Sequence, residues 1–233
     1  MPGPSAVLWD GDVLGGPRLA SVRGRIPPTT ISRLPIYLRC LAAASPGATF
    51  CSSEQLAEIA GVNSAQVRKD LSYLGSYGVR GVGYNIAELE AQIRRVLGLD
   101  REYPTVIVGA GNLGRALARY DGFADAGFRV VALFDVDPAK VGPGPAGIPI
   151  LAMGELERVV RDEDVAIAIL AVPASAAQGV AERLAEAGIR SILNFAPTVL
   201  RIGDGVEVRR VDLSTELQIL TYHLRSRLLS ESG

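Results

Sequence analysis

Apolar residues recur at helical intervals through the first half of the chain and in short unbroken runs through the second. Ile31, Leu34, Leu38 and Leu41 fall at helical spacing and predict a helix over 29–45. Thr30 or Ser32 is placed to cap it, Pro35 fits only a first turn, and Pro46-Gly47 ends it. Ser52-Ser53-Glu54-Gln55 fits a capping box opening a second helix, with Leu56, Ile59 and Ala60 on one face. Gly61-Val62-Asn63 is a short turn, and Asn63 or Ser64 caps a third helix over 65–74. Helix, three-residue turn, helix is the helix-turn-helix pattern. Gly75-Ser76-Tyr77-Gly78 closes the third helix, and Val79 to Tyr84 reads as a tight β-hairpin whose glycines supply positive φ. A helix follows from Ile86 to Leu97, stopped by Gly98, so that residues 29–99 form a winged helix.

The second half alternates. Thr105 to Val108 is a fully apolar strand, followed by Gly109-Ala110-Gly111-Asn112-Leu113-Gly114 and a helix running to Tyr120. A strand from Arg129 to Phe134 ends in Asp135. Further strands are predicted near 148–151, 165–171, 191–195 and 206–211, with helices over 153–161 and 174–187. Alternating β and α predicts a parallel sheet covered on both faces, a Rossmann-type unit over 103–211. A terminal helix from Leu213 to Leu229 carries Leu213, Leu217, Leu220 and Leu224 as one stripe, for packing on its own sheet or on another subunit.

Composition narrows this picture. With 233 residues, 48% hydrophobic and 21% charged, the chain supplies one large domain or two ordinary ones. Gly, Pro and Ser dominate residues 1–28, which read as a disordered arm. No apolar run reaches the roughly 18 residues that span a bilayer, and no signal peptide is read, so a cytoplasmic protein is expected. Cys40, Cys51 and the single His223 do not make a zinc site, and two reduced thiols are expected. Net charge is −1, yet Val13 to Ser53 holds Arg18, Arg23, Arg25, Arg33 and Arg39 with no acid. Such a basic surface steers a molecule to DNA.

The third helix divides into faces. Val67, Leu71 and Leu74 turn inward. Gln66, Lys69 and Tyr73, with Ser64, Arg68 and Ser72 beside them, are candidates to meet base edges and phosphates. In the wing, Arg80 sits at the tip beside Gly81 and Tyr84, placed to enter a minor groove.

GxGxxG after a strand, opening a helix, with an acid 21 residues beyond its last glycine, is a dinucleotide fingerprint. Gly109 makes the turn, Gly111 admits the pyrophosphate, and Gly114 allows close helix packing. Asp135 is assigned to the adenosine ribose hydroxyls, with Val136 beside it, and favours NAD(H) over NADP(H). Asp137 and Lys140 are turn residues or ligands of the adenosine half. Val172-Pro173 and Asn194-Phe195-Ala196-Pro197 end strands, where ligands sit; ordinary turn chemistry is their alternative. No acid/base pair stands out, so no enzyme is expected. An NAD-dependent oxidoreductase or a CoA-binding protein with a helical appendage remain the alternatives.

In the order ISRLPIYLRCL, SSEQLAEIAGVNSAQVRKDLSYLGSYGVRGVGY, VGAGNLGRAL, FDVDPAKVG, AVPASAAQ and NFAP, the chain resembles the redox-sensing transcriptional repressor Rex family over residues 29–225. The resemblance implies a homodimer on a palindromic double-stranded operator, released by NADH while NAD+ competes and permits binding. It implies that the helix 212–229 is domain-swapped. It carries over Arg39, Tyr120 and Asp212 as a charged switch, with Tyr120 also a cofactor contact. The arm departs from shorter members of the family.

Overall fold

The computed structural model describes residues 26–43, 47–75, 78–79 and 81–231. The arm with Arg18, Arg23 and Arg25, and Pro46, Ser76, Tyr77 and the wing-tip Arg80, lie outside the described residues. The chain divides after Gly98 into two compact units.

In the first unit the order is α1 (Pro28–Ala42), β1 (Phe50–Cys51), α2 (Ser53–Ala60), α3 (Ser64–Ser72), β2 (Gly78–Val79), β3 (Gly83–Asn85) and α4 (Ile86–Leu97). The three strands pair antiparallel in the order β1-β3-β2. The wing is therefore anchored by a strand the sequence did not announce, the two residues Phe50–Cys51. Gly83 makes that pairing possible: its φ is +108°, and a Cβ there would stand 2.3 Å from the Cys51 carbonyl oxygen. Leu34, Tyr37, Leu41, Leu56, Val67, Leu71, Leu74, Leu89 and Ile93 fill one core between the helices.

The capping box holds: the Ser52 hydroxyl accepts from Gln55 N–H and the Gln55 side chain accepts from Ser52 N–H. Asn63 caps α3 by accepting from Gln66 N–H. At α1 the expectation fails. The cap position is Pro27, with no side-chain cap, and Thr30 is buried with its hydroxyl turned to Asp70. The helix thus begins at Pro28, one residue inside the segment read as arm. It also continues through Pro35, because burial of Tyr37, Cys40 and Leu41 beyond the proline outweighs the lost backbone bond. Ile31 and Ile59 stand 45% and 57% exposed; Tyr37 and Ala57 face the core instead.

The second unit runs β4 (Tyr103–Val108), α5 (Asn112–Ala118), α6 (Asp121–Asp125), β5 (Phe128–Asp135), β6 (Ile150–Ala152), α7 (Leu156–Asp162), β7 (Ile167–Leu170), α8 (Ala174–Glu186), β8 (Ser191–Asn194), β9 (Glu207–Arg210) and α9 (Leu213–Glu231). Its six strands are all parallel, ordered β6-β5-β4-β7-β8-β9. Chain order reverses between β4 and β7, the switch point where such sheets bind ligands. Alternate residues of β4 serve two cores: Val106 and Val108 pack with α7 and α8, and Ile107 packs on the other face with Leu133 and Ala118. Both faces being buried, β4 ends in the unbroken apolar run Val106 to Val108.

The helix after the glycine loop stops at Ala118, and Tyr120 precedes a separate short helix, α6. The helix expected over 153–161 opens as a 3-10 turn at 153–155 and is α-helical from Leu156. No described helix is long and apolar enough to cross a membrane.

Candidate nucleic-acid and dinucleotide sites

In the first unit α3 presents its charged side outward. Lys69, Arg68 and Ser72 are exposed, while Ser64, Gln66 and Tyr73 are half-buried. Their engagements differ. The Arg68 guanidinium donates to Ser53 Oγ at 2.9 Å and Glu54 Oε1 at 3.2 Å, tying α3 to the start of α2. The Ser72 hydroxyl donates to the Lys69 carbonyl. Arg68, Gly81 and Tyr84 line one groove with Ser52, Ser53, Glu54 and β2. Tyr84 also packs on the core, and that burial pushes its phenol up.

Sequence reasoning missed Asp70. It is wholly buried on α3 and collects five hydrogen bonds. Its Oδ1 accepts from Thr30 Oγ1 (2.9 Å), Arg33 Nη2 (2.8 Å) and Gln66 Nε2 (2.9 Å). Its Oδ2 accepts from Arg33 Nε (2.6 Å) and Tyr37 OH (2.8 Å). Burial would raise this carboxyl, but the bonds from Arg33, Tyr37, Thr30 and Gln66 outweigh it and hold the group down at about 2. Burial beside this carboxylate pushes the Tyr37 phenol up. A buried acid on α3 whose partners come mostly from α1 carries no periodic signal. The usable clue was the buried position itself, one before Leu71 and three after Val67 on the inward side.

In the second unit a cleft of about 480 Å³ opens at the carboxyl ends of β4, β5 and β7. Gly109, Gly111, Asn112, Leu113, Asp135, Val136, Lys140, Val172 and Pro173 line it, as read from the sequence. Phe134, Met153, Ala171, Ala176 and Val180 complete its apolar walls, and these the sequence reading did not single out. Its size suits a small-molecule ligand.

The glycines behave differently from one another. Gly109 has φ +105°, and a Cβ there would stand 2.3 Å from the Ala171 carbonyl oxygen. At Gly114 a Cβ would stand 1.9 Å from the Gly109 carbonyl oxygen, so only glycine lets α5 start this close to the loop. At Gly111 a Cβ meets nothing within 4 Å, so that face of the loop is open for a ligand to approach. Apolar walls, an open glycine loop and an acid at the end of β5 form a donor set that fits a dinucleotide.

Asp135 does more than the fingerprint assigns. Its Oδ2 accepts from Ala110 N–H and Lys140 Nζ, both at 2.9 Å, and its Oδ1 from Asp137 N–H at 2.9 Å. Burial opposes ionisation, but the Asp137 amide, Lys140 and the Ala110 amide overcome it, so the carboxyl lies below its ordinary range. Asp135 is thus a strut between the glycine loop and the turn after β5. Asp137 caps that turn by accepting from Ala139 N–H, its turn-residue alternative.

Other sequence candidates lie elsewhere. Asn194 is buried, with Oδ1 accepting from Ala196 N–H and Nδ2 donating to the Thr198 carbonyl, so its amide is spent on the turn. Phe195 packs against the sheet core and Ala196 is buried; neither they nor Pro197 line the cleft. Tyr120 is 60% exposed, stacked edge-on against Phe123 at 5.1 Å, in a separate groove with Arg119, Asp121 and Arg129. Of the residues carried over as a switch, Arg39 lies exposed on α1 in the first unit. Asp212 N-caps α9, its Oδ1 accepting from Ser214 N–H (3.0 Å) and Thr215 N–H (3.2 Å), and it pairs with Arg210. The Thr215 amide and Arg210 hold its carboxyl below the ordinary range.

Residues 25–72 match a family described as "Putative DNA-binding protein N-terminus", and residues 100–198 match the CoA binding domain family. Over 209 residues the chain is 58% identical to the redox-sensing transcriptional repressor Rex of Streptomyces coelicolor, covering 89% of this chain and 81% of that protein. It is 50% identical over 202 residues to the Rex repressor of Carboxydothermus hydrogenoformans, covering 86% and 97%. Among solved structures it resembles the Rex-family repressor RSP in complex with NAD+ and operator DNA, with TM-score 0.82 and 36% identity over 90% of this chain and 97% of that one. RSP in complex with NADH matches with TM-score 0.81 and 34% identity over 90% and 99%. A helix-turn-helix unit and a dinucleotide cleft in one chain, matched over 86–90% of its length by these relatives, place it: the chain belongs to the redox-sensing transcriptional repressor Rex family.

Proposed function

We propose that this chain is a homodimeric repressor that holds a palindromic operator and lets go when NADH occupies the cleft, NAD+ competing without release. The carrying observation is the pairing, in one chain, of an exposed basic helix face with a glycine-loop cleft, in a relative solved with both NAD+ and operator DNA. In this reading Lys69, Arg68 and Ser72 meet the DNA with Gln66, and the Gly109–Gly114 loop takes the pyrophosphate. Asp135 holds the loop and offers the remaining lone pair of its Oδ1 to the adenosine ribose. The nicotinamide half faces the apolar wall of Val172, Pro173 and Ala176. The exposed leucines of α9 are the dimer contact, swapped onto the second copy, and Arg39, Tyr120 and Asp212 exchange partners between states. The cytoplasm is the compartment this function requires.

Fluorescence anisotropy tests the reading, with labelled palindromic duplexes selected by the protein from a randomised pool. Release by NADH, reversed by excess NAD+, is expected. Binding indifferent to both nucleotides would overturn it. The CoA-family match to residues 100–198 supports a second reading, which release by CoA but not by NADH would favour.

A further inference from the structure

We infer that Asp70 is a positioning residue that fixes the Gln66 amide for reading an adenine in the major groove. The inference rests on the proposed reading of α3 as the DNA-contacting helix.

Gln66 lies in the first turn of α3, the part of a recognition helix that reaches base edges. Its Nε2 donates to Asp70 Oδ1 at 2.9 Å. An ionised carboxylate only accepts, so the amide nitrogen must face it and the amide cannot flip. The carboxylate is itself immobile. It is fully buried, and α1 grips it through Thr30, Arg33 and Tyr37. What remains of the Gln66 amide is Oε1 as acceptor and the second Nε2 hydrogen as donor. Adenine presents the complement, an N6 donor beside the N7 acceptor, which an amide meets with two bonds. A free glutamine would sample rotamers and both amide orientations, and would lose that freedom on binding. A glutamine held by Asp70 has lost it already. The other polar head on this face near α2, that of Arg68, is engaged with Ser53 and Glu54.

The test uses full-length protein and the palindromic duplex it selects from a randomised pool, with every base pair then substituted in turn. Gln66→Met and Asp70→Asn are each expected to lose about tenfold of discrimination at the same A·T pair. The double variant should lose no more than Gln66→Met alone, because one contact is being removed twice. Affinity for random duplex, which phosphate contacts dominate, should fall by much less than affinity for the selected palindrome. Tyr37→Phe leaves the Arg33 pair in place and guards against misfolding of Asp70→Asn; it should cost a few-fold of the same discrimination, about half the logarithmic effect. Additive losses, losses at different base pairs, or a uniform loss on all duplexes would overturn the proposal and leave Asp70 a structural residue. Wild-type protein that selects no duplex would overturn the repressor reading itself, an outcome distinct from these.

Discussion

At the scale of single residues, burial decides which groups are chemistry and which are scaffold. Asp70 is held down at about 2 from an ordinary value of 3.8. A lowered carboxyl contributes stability that is full above the unfolded value and is lost as pH falls toward the folded one. Asp70 should therefore contribute on the order of 2 kcal/mol to the first unit at neutral pH, lost between about pH 4 and pH 2. Thermal melts of wild type and Asp70→Asn across that range check this; equal slopes below pH 4 would contradict it. At the glycine loop, Gly114→Ala must move the Gly109 carbonyl, 1.9 Å from the new Cβ. Overpacking of that kind costs about 1–3 kcal/mol. NADH affinity by calorimetry should fall by about tenfold or more, while operator binding survives and needs correspondingly more NADH for release.

At the scale of elements, two helices carry a prediction each. α1 carries Pro35 in its interior. Pro35 is exposed and holds no side-chain bond, so Pro35→Ala restores a backbone donor at small entropic loss. A gain of about 1–2 kcal/mol is expected in urea unfolding of the first unit; a loss would mean that the proline shapes α1. In α9 the apolar residues of the stripe stay largely exposed. Leu213, Leu217, Leu220, Tyr222 and Leu224 are each at least 60% exposed, and Ile219 is 47% exposed. Exposed apolar surface on that scale marks an interface. Replacing Leu217 and Leu220 with glutamate should convert dimer to monomer by sedimentation and weaken palindrome binding far more than half-site binding. A stable dimer in that variant would remove α9 from the interface.

For the whole molecule, the two units are separate compact bodies, so their communication is a coupling free energy between a cleft and a helix face. NADH shifts DNA binding only by its differential affinity for the two states, and the same factor must appear in reverse. Operator DNA should weaken NADH by the factor by which NADH weakens operator binding, at one fixed salt concentration. Anisotropy and calorimetry on one preparation check this, and unequal factors would mean a species outside the two-state scheme.

The sequence by itself determined the alternation of strands and helices in the second unit, the capping box of α2, the Asn63 cap, the inward faces of α3 and the position of the glycine loop. Each of these depends on neighbours a few residues apart: periodicity, cap chemistry and turn glycines act locally. The first strand of the wing sheet was not legible, because Phe50–Cys51 is a strand only through Asn85 and Tyr84 across from it, an approach that Gly83 admits. Nor was the continuation of α1 past Pro35, which its core contacts enforce. Tertiary structure alone decided the rest of the sites. It turned Asp135 into a strut as well as a ribose candidate and buried Asp70 under Thr30, Arg33, Tyr37 and Gln66. The physical reason is common to both. A polar group's role is set by the donors that reach it once water is excluded, and those donors come from residues up to 40 positions away.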